Sequence, residues 1–158
     1  MFKHILVPTD GTELSKDTCR AAVALARQLD ASVTAYHAQA QIASSTFSAA
    51  IFDGDLVDDK TRAQFEKAVA SAARNSLGFV ETICQEAAVP FNALTSTCDS
   101  AWEGILQAAI DANADLIFMA SHARKGLKAR LIGSQTERVL SHSNVPVLVY
   151  RWGDPPTP

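Results

Sequence analysis

The chain has 158 residues, 47% of them hydrophobic and 20% charged, with a net charge of −3. That length supports one domain with a full hydrophobic core. The mild negative charge excludes a global basic field for nucleic acid or an anionic membrane. No apolar run approaches the ~20 residues of a membrane span.

Met1-Phe2-Lys3-His4 leads into a strand pattern without a signal-peptide core, so a cytoplasmic location is expected. Ile5-Leu6-Val7 is a buried strand, closed by the turn Pro8-Thr9-Asp10-Gly11-Thr12. Leu14, Thr18, Ala21, Ala22, Leu25, Ala26 and Leu29 recur at helical spacing and predict a helix from about 13 to 29. Val33 to His37 is a second strand. Residues 39 to 60 carry serines and then aspartates, with little pattern, and suggest a surface loop.

A long helix follows, marked by Phe65, Ala68, Val69, Ala72, Ser76, Val80, Ile83 and Ala87, with Gly78 as a mild internal weakness. Val89-Pro90 ends it. Phe91 to Thr95 is a third strand. Trp102, Ile105, Leu106, Ala109 and Ile110 predict a third amphipathic helix. Leu116-Ile117-Phe118-Met119 is apolar without alternation, as in a strand covered on both faces. A short helix over 134–142 and a fifth strand over Val145–Tyr150 complete the pattern. Residues 1–152 are expected to form one domain and 153–158 a loose proline-rich tail.

Strand and helix alternate throughout, which predicts an α/β fold: a parallel sheet with helices on both faces. Ligands of such sheets bind beyond the carboxyl ends of the strands, where the strand order reverses. Asp10 and the 120–134 segment both stand at carboxyl ends. Cys19, Cys84 and Cys98 are far apart, odd in number and without a C-x-x-C pair, and are expected to be reduced, packed thiols. His4, His37 and His142 show no metal-ligand spacing. No nucleophile elbow or paired catalytic carboxylates stand out.

The stretch from Asp115 to Gly126, with Gly133-Ser134-Gln135-Thr136-Glu137 downstream, has the order strand, basic loop, helix start. Ser134 and Glu137 are spaced as a capping box. Two readings compete: a well-capped helix, or a phosphate held by the free N–H groups of the helix start and the Ser134 hydroxyl. Arg124, Lys125, Lys128 and Arg130 place four positive charges within seven residues. They form either a solvated loop or the counter-charge of a phosphate. His122 beside them fits an exposed histidine better than a ligand contact.

Together the opening Ile5–Ser15, the Asp115–Met119 strand with its loop and Gly133-Ser134, and the closing Val139–Val149 segment resemble the universal stress protein family. The resemblance covers almost the whole chain. It implies an open five-stranded parallel sheet in the order 3-2-1-4-5, akin to the adenine nucleotide alpha hydrolase fold, commonly in a homodimer. ATP-binding members of that family carry G-x-x-G, nine residues, then G-[S/T]. In this chain the frame falls at 120, 123, 133 and 134: Gly133 and Ser134 match, Ala120 and Ala123 do not.

The resemblance implies that Pro8, Thr9 and Asp10 meet the adenosine portion, with Ala38 offering backbone to adenine. It sets Ala120, His122, Ala123, Arg124, Lys125, Gly133, Ser134 and Gln135 around the phosphates, with any Mg²⁺ arriving on ATP. Asp10 also has a plain role in stabilising an Asp-Gly turn. Alanine at 120 and 123 weakens such a site, through strain if φ is positive or through sterics if it is negative. The expected function is a stress-response regulator that binds ATP with little or no catalysis. The alternative is a dimeric interaction protein whose ATP site has decayed. The expected dimer pairs the edge strand Val145–Tyr150 with its twin.

Overall fold

The computed structural model describes residues 1–40, 59–120 and 132–151. In chain order the elements are β1 (His4–Pro8), α1 (Glu13–Leu29), β2 (Ser32–Ala40), α2 (Asp59–Glu86), β3 (Phe91–Cys98), α3 (Ala101–Asp111), β4 (Leu116–Ala120), α4 (Ser134–His142) and β5 (Val147–Tyr150). All four strand pairings are parallel and the order is β3-β2-β1-β4-β5, as expected. The chain moves outward from β1 to β3, then crosses back to place β4 on the other side of β1. The order therefore reverses between β1 and β4.

The two-residue period of the strands divides the core into two layers. Ile5, Val7, Val33, Ala35, Leu116 and Phe118 point to one face and pack with Cys19, Ala22 and Val23 of α1 and Val80 and Cys84 of α2. Leu6, Tyr36, Ile117 and Met119 point to the other and pack with Ile105, Ala108 and Ala109 of α3 and Val139 of α4. Burial on both faces explains why β1 and β4 are uninterrupted apolar runs.

The helix α1 has the bounds expected from its apolar spacing and ends on Asp30 in the left-handed region. The markers proposed for the long helix need correction. Phe65 is 45% exposed, and Ala68 and Ala72 are exposed too; burial is carried by Ala73, Ser76, Val80 and Cys84. A helix of 28 residues is about 42 Å long at 1.5 Å per residue, so its first turns overshoot the short strands beneath. Ile110 likewise lies on the solvent side of α3, not on its buried face. The last strand begins at Val147, two residues later than expected. Val145 and Ser143 instead close a local turn, in which the Ser143 hydroxyl accepts from Val145 N–H and donates to Val145 O.

The thiols of Cys19 and Cys84 are buried, and burial pushes each up to about 11. Such groups stay protonated and pack as small apolar residues. No helix among the described residues is long and apolar enough to cross a membrane.

Candidate functional site

A cleft of about 260 Å³ opens at the carboxyl end of the sheet, on the α3/α4 side. This lies just below the ~300–1,000 Å³ typical of ligand pockets. Its wall comprises Pro8, Thr9 and Asp10 after β1, Ser15 of α1, Tyr36 and Ala38 of β2, Ala101 and Ile105 of α3, Met119 and Ala120 of β4, and Gln135 and Thr136 of α4. The lining combines apolar side chains with hydroxyl, carboxylate and amide groups. The cleft stands at the reversal of strand order, where open α/β sheets bind ligands.

The turn after β1 is a closed hydrogen-bonded unit. Asp10 Oδ1 accepts from Thr12 N–H at 3.0 Å and from the Thr12 hydroxyl at 2.7 Å. Thr12 is the N-cap of α1, and its side chain accepts from Ser15 N–H. The hydroxyls of Thr9 and Ser15 bond each other at 2.7 Å, and each also accepts a backbone N–H of the turn, from Gly11 and Asp10 respectively. Thr9 N–H donates to Tyr36 O, while the His37 ring meets Thr9 O at 2.9 Å. These bonds fix the turn against β2. Gly11 has φ +77°, and a Cβ there would run into the Ser76 side chain of α2.

The floor is built around Tyr36. Its hydroxyl meets Ser96 Oγ at 2.8 Å and Cys98 Sγ at 3.8 Å, and burial pushes its titration up to about 12. Gly104 lets α3 descend onto this hydroxyl, because any Cβ at 104 would strike it.

The far wall is the start of α4. Here the capping-box expectation is corrected: the N-cap is Gly133, with an extended backbone, and no side chain caps the helix. Ser134 is the first helical residue. Because the N-cap stands one residue earlier than expected, Ser134 has lost the position from which a hydroxyl reaches back to the third N–H. Gly133 O accepts from Glu137 N–H, while helix geometry leaves the N–H groups of Ser134, Gln135 and Thr136 without intrahelical partners. Thr136 donates its hydroxyl to Ala120 O at 2.9 Å, fastening α4 to the end of β4. Ala120 is a strand residue and is not among those with positive φ. Of the two ways alanine could act at 120, backbone strain is therefore excluded.

Six of the residues singled out in the sequence therefore line the cleft: Pro8, Thr9, Asp10, Ala38, Ala120 and Gln135. Gly133 and Ser134 begin the same turn but are not part of its wall. His122, Ala123, Arg124 and Lys125 lie outside the described residues. Ser15, Tyr36, Ala101, Ile105, Met119 and Thr136 escaped the sequence reading. Ile105 and Met119 looked like core, and Ser15 carried a signal only as the residue three after a helix cap. Among the described residues, no group of three or more His, Cys, Asp or Glu side chains is placed to hold a metal.

The model of the Universal stress protein family matches residues 1–151. The chain belongs to the universal stress protein family. Universal stress protein MJ0531 of Methanocaldococcus jannaschii is 28% identical over 155 residues, covering 96% of this chain and 83% of that protein. Solved family structures share the fold at lower identity. A universal stress protein in complex with cAMP superposes with a TM-score of 0.66 at 17% identity, covering 94% of this chain and 97% of that one. A family protein of Arabidopsis thaliana with AMP bound also gives 0.66, at 15% identity, with 96% and 92% covered. Adenine nucleotides are thus ligands of these two relatives.

Proposed function

We propose that this protein is a cytoplasmic stress-response regulator that binds an adenine nucleotide in the cleft and carries out little or no chemistry on it. The observation that carries the reading is the convergence of Pro8–Asp10, Ala38, Ala120 and Gln135 at one cleft, on the carboxyl side of the β1–β4 reversal. Asp10 and the β2 backbone at Ala38 face the adenosine portion. The open first turn of α4, from Gly133 to Gln135, faces the phosphates, where unsatisfied N–H groups and the helix dipole favour an anion. Arg124 and Lys125 supply counter-charge. Any Mg²⁺ enters on ATP through phosphate oxygens, since the described residues offer no donor set for it. The relatives that hold AMP and cAMP support this ligand class.

Mass spectrometry of ligand released from protein purified without added nucleotide, followed by calorimetry with adenosine, AMP, cAMP and ATP, tests the reading. An adenine nucleotide in the released fraction, or saturable heat with AMP or ATP, is the expected result. No heat from any of the four at millimolar concentration overturns it and leaves the decayed-site alternative standing.

The same proposal includes a homodimer. The strand β5 is an edge paired only with β4 among the described residues, and its Leu148 is 36% exposed. An apolar edge of this kind favours antiparallel pairing with a twin about a two-fold axis. Light scattering is expected to report a dimer at tens of micromolar, and Leu148→Asp to shift it to monomer; wild-type monomer throughout rejects the arrangement.

A further inference from the structure

The strand β3 is the sheet edge opposite β5. Edges are ordinarily guarded by short length, charge, proline or a bulge. None of these is present in β3. Its eight residues, Phe91–Cys98, include no charge and no proline, and they pair with β2 in unbroken register. Asn92, Ala93, Thr95, Ser96 and Thr97 are exposed. Among the described residues no strand but β2 pairs with it. Val33 N–H donates to Pro90 O at 2.8 Å, which sets the phase of the ladder. Even-numbered residues of β3 turn their N–H and C=O toward β2. Phe91, Ala93, Thr95 and Thr97 turn theirs outward.

We propose that β3 pairs antiparallel with β3 of a second copy of this chain, about a two-fold axis at Leu94. Opposed residues of an antiparallel pair must turn their backbone groups the same way, so the axis passes through a residue. At Leu94, Phe91 opposes Thr97, Asn92 opposes Ser96, Ala93 opposes Thr95, and Leu94 opposes its twin. These pairs match: aromatic with β-branched, amide with hydroxyl, small with β-branched, apolar with apolar. All the outward N–H and C=O groups find partners. Moving the axis one residue either way sets Leu94 against Asn92 or Ser96. Leu94 is half-buried against the core on the α3 side. At the axis the two leucines form a non-hydrogen-bonded pair, with Cα atoms about 4.5 Å apart, and extend that core across the contact. The chain's net charge of −3 opposes self-association, but β3 brings no charge into the ladder. An acidic or basic segment would find no counter-charge within this strand; an identical strand needs none. One strand per copy is a small contact and therefore a weak one, formed at concentrations above those of the β5 pairing. It lies at the opposite edge, so the two contacts together join dimers edge to edge.

Sedimentation of the Leu148→Asp protein isolates this contact from the β5 pairing. It is expected to be monomeric at tens of micromolar and dimeric at hundreds of micromolar. Two further substitutions in that background test the edge. Ala93→Pro deletes an outward N–H and spares the ladder to β2. Ala93→Lys keeps the N–H and sets two positive charges diagonally across the axis. Each is expected to weaken the dimer roughly tenfold or more, because symmetry counts every lost bond twice. Circular dichroism checks the fold; if Ala93→Pro is unfolded, Ala93→Lys decides alone. A Leu148→Asp protein that is still monomeric at hundreds of micromolar overturns the second copy as the occupant of this edge. So does a dimer that the folded Ala93 variants leave at full strength, whatever the concentration at which it forms.

Discussion

Three helices begin near the cleft, and two of them, α1 and α4, begin in opposite ways. At α1 side chains close the helix start: Thr12 caps, Asp10 holds Thr12, and Thr9 and Ser15 tie the preceding N–H groups. At α4 the N-cap is Gly133, with no side chain to offer, and helix geometry leaves the first N–H groups without intrahelical partners. A closed helix start serves the fold. An open one keeps donors for something else, at the cost of the roughly 1 kcal/mol that a side-chain cap supplies. The β1–α1 turn thus caps its own helix with side chains and the α4 start does not, although both stand at the same cleft.

The largest test of the contrast is Gly11→Ala. A left-handed backbone costs a non-glycine residue roughly 1–2 kcal/mol, and overlap in a packed site adds about 1–3 kcal/mol. Urea unfolding is expected to show the sum, and Gly11→Ala combined with Ser76→Ala to recover the steric part. A Gly11→Ala protein as stable as wild type would mean that the turn is not rigid. Thr12→Ala comes next, with a loss of about 1 kcal/mol from the missing cap, read from the same denaturation curves and expected with or without nucleotide. Ser134→Ala should change stability least, within about 0.5 kcal/mol, as at a surface position without a special role. A drop in melting temperature equal to that of Thr12→Ala would make the two helix starts alike and erase the comparison.

Much of the fold was legible because it depends on short-range pattern. Apolar runs in Ile5–Val7 and Leu116–Met119, helical spacing from Leu14 to Leu29 and the strand–helix alternation fixed the class and the element order. The long helix was legible in type but not in burial. Spacing marks a helix's apolar stripe, while the length of the underlying strands decides how much of the stripe is covered, and so Phe65 and Ala68 stayed outside. Strand order was available only through resemblance, since no local pattern records which strands become neighbours.

The site divides in the same way. The sequence by itself determined the residue types that converge: the Asp-Gly turn after β1, small residues at 38 and 120, and Gly133-Ser134 with Gln135 at the start of α4. It could not determine that Gly133 rather than Ser134 takes the N-cap, because both residues suit that position and only backbone geometry chooses between them. Nor could it show that Tyr36, Ile105 and Thr136 form part of the wall. Those side chains obey the same burial rules as any core residue, and they face a cleft because Gly104 brings α3 close to Tyr36 and Thr136 fastens α4 to Ala120. The bond of Gln135 is likewise tertiary: its partner Trp102 is 33 residues away, and only the packing of α4 beside α3 brings the amide to that N–H.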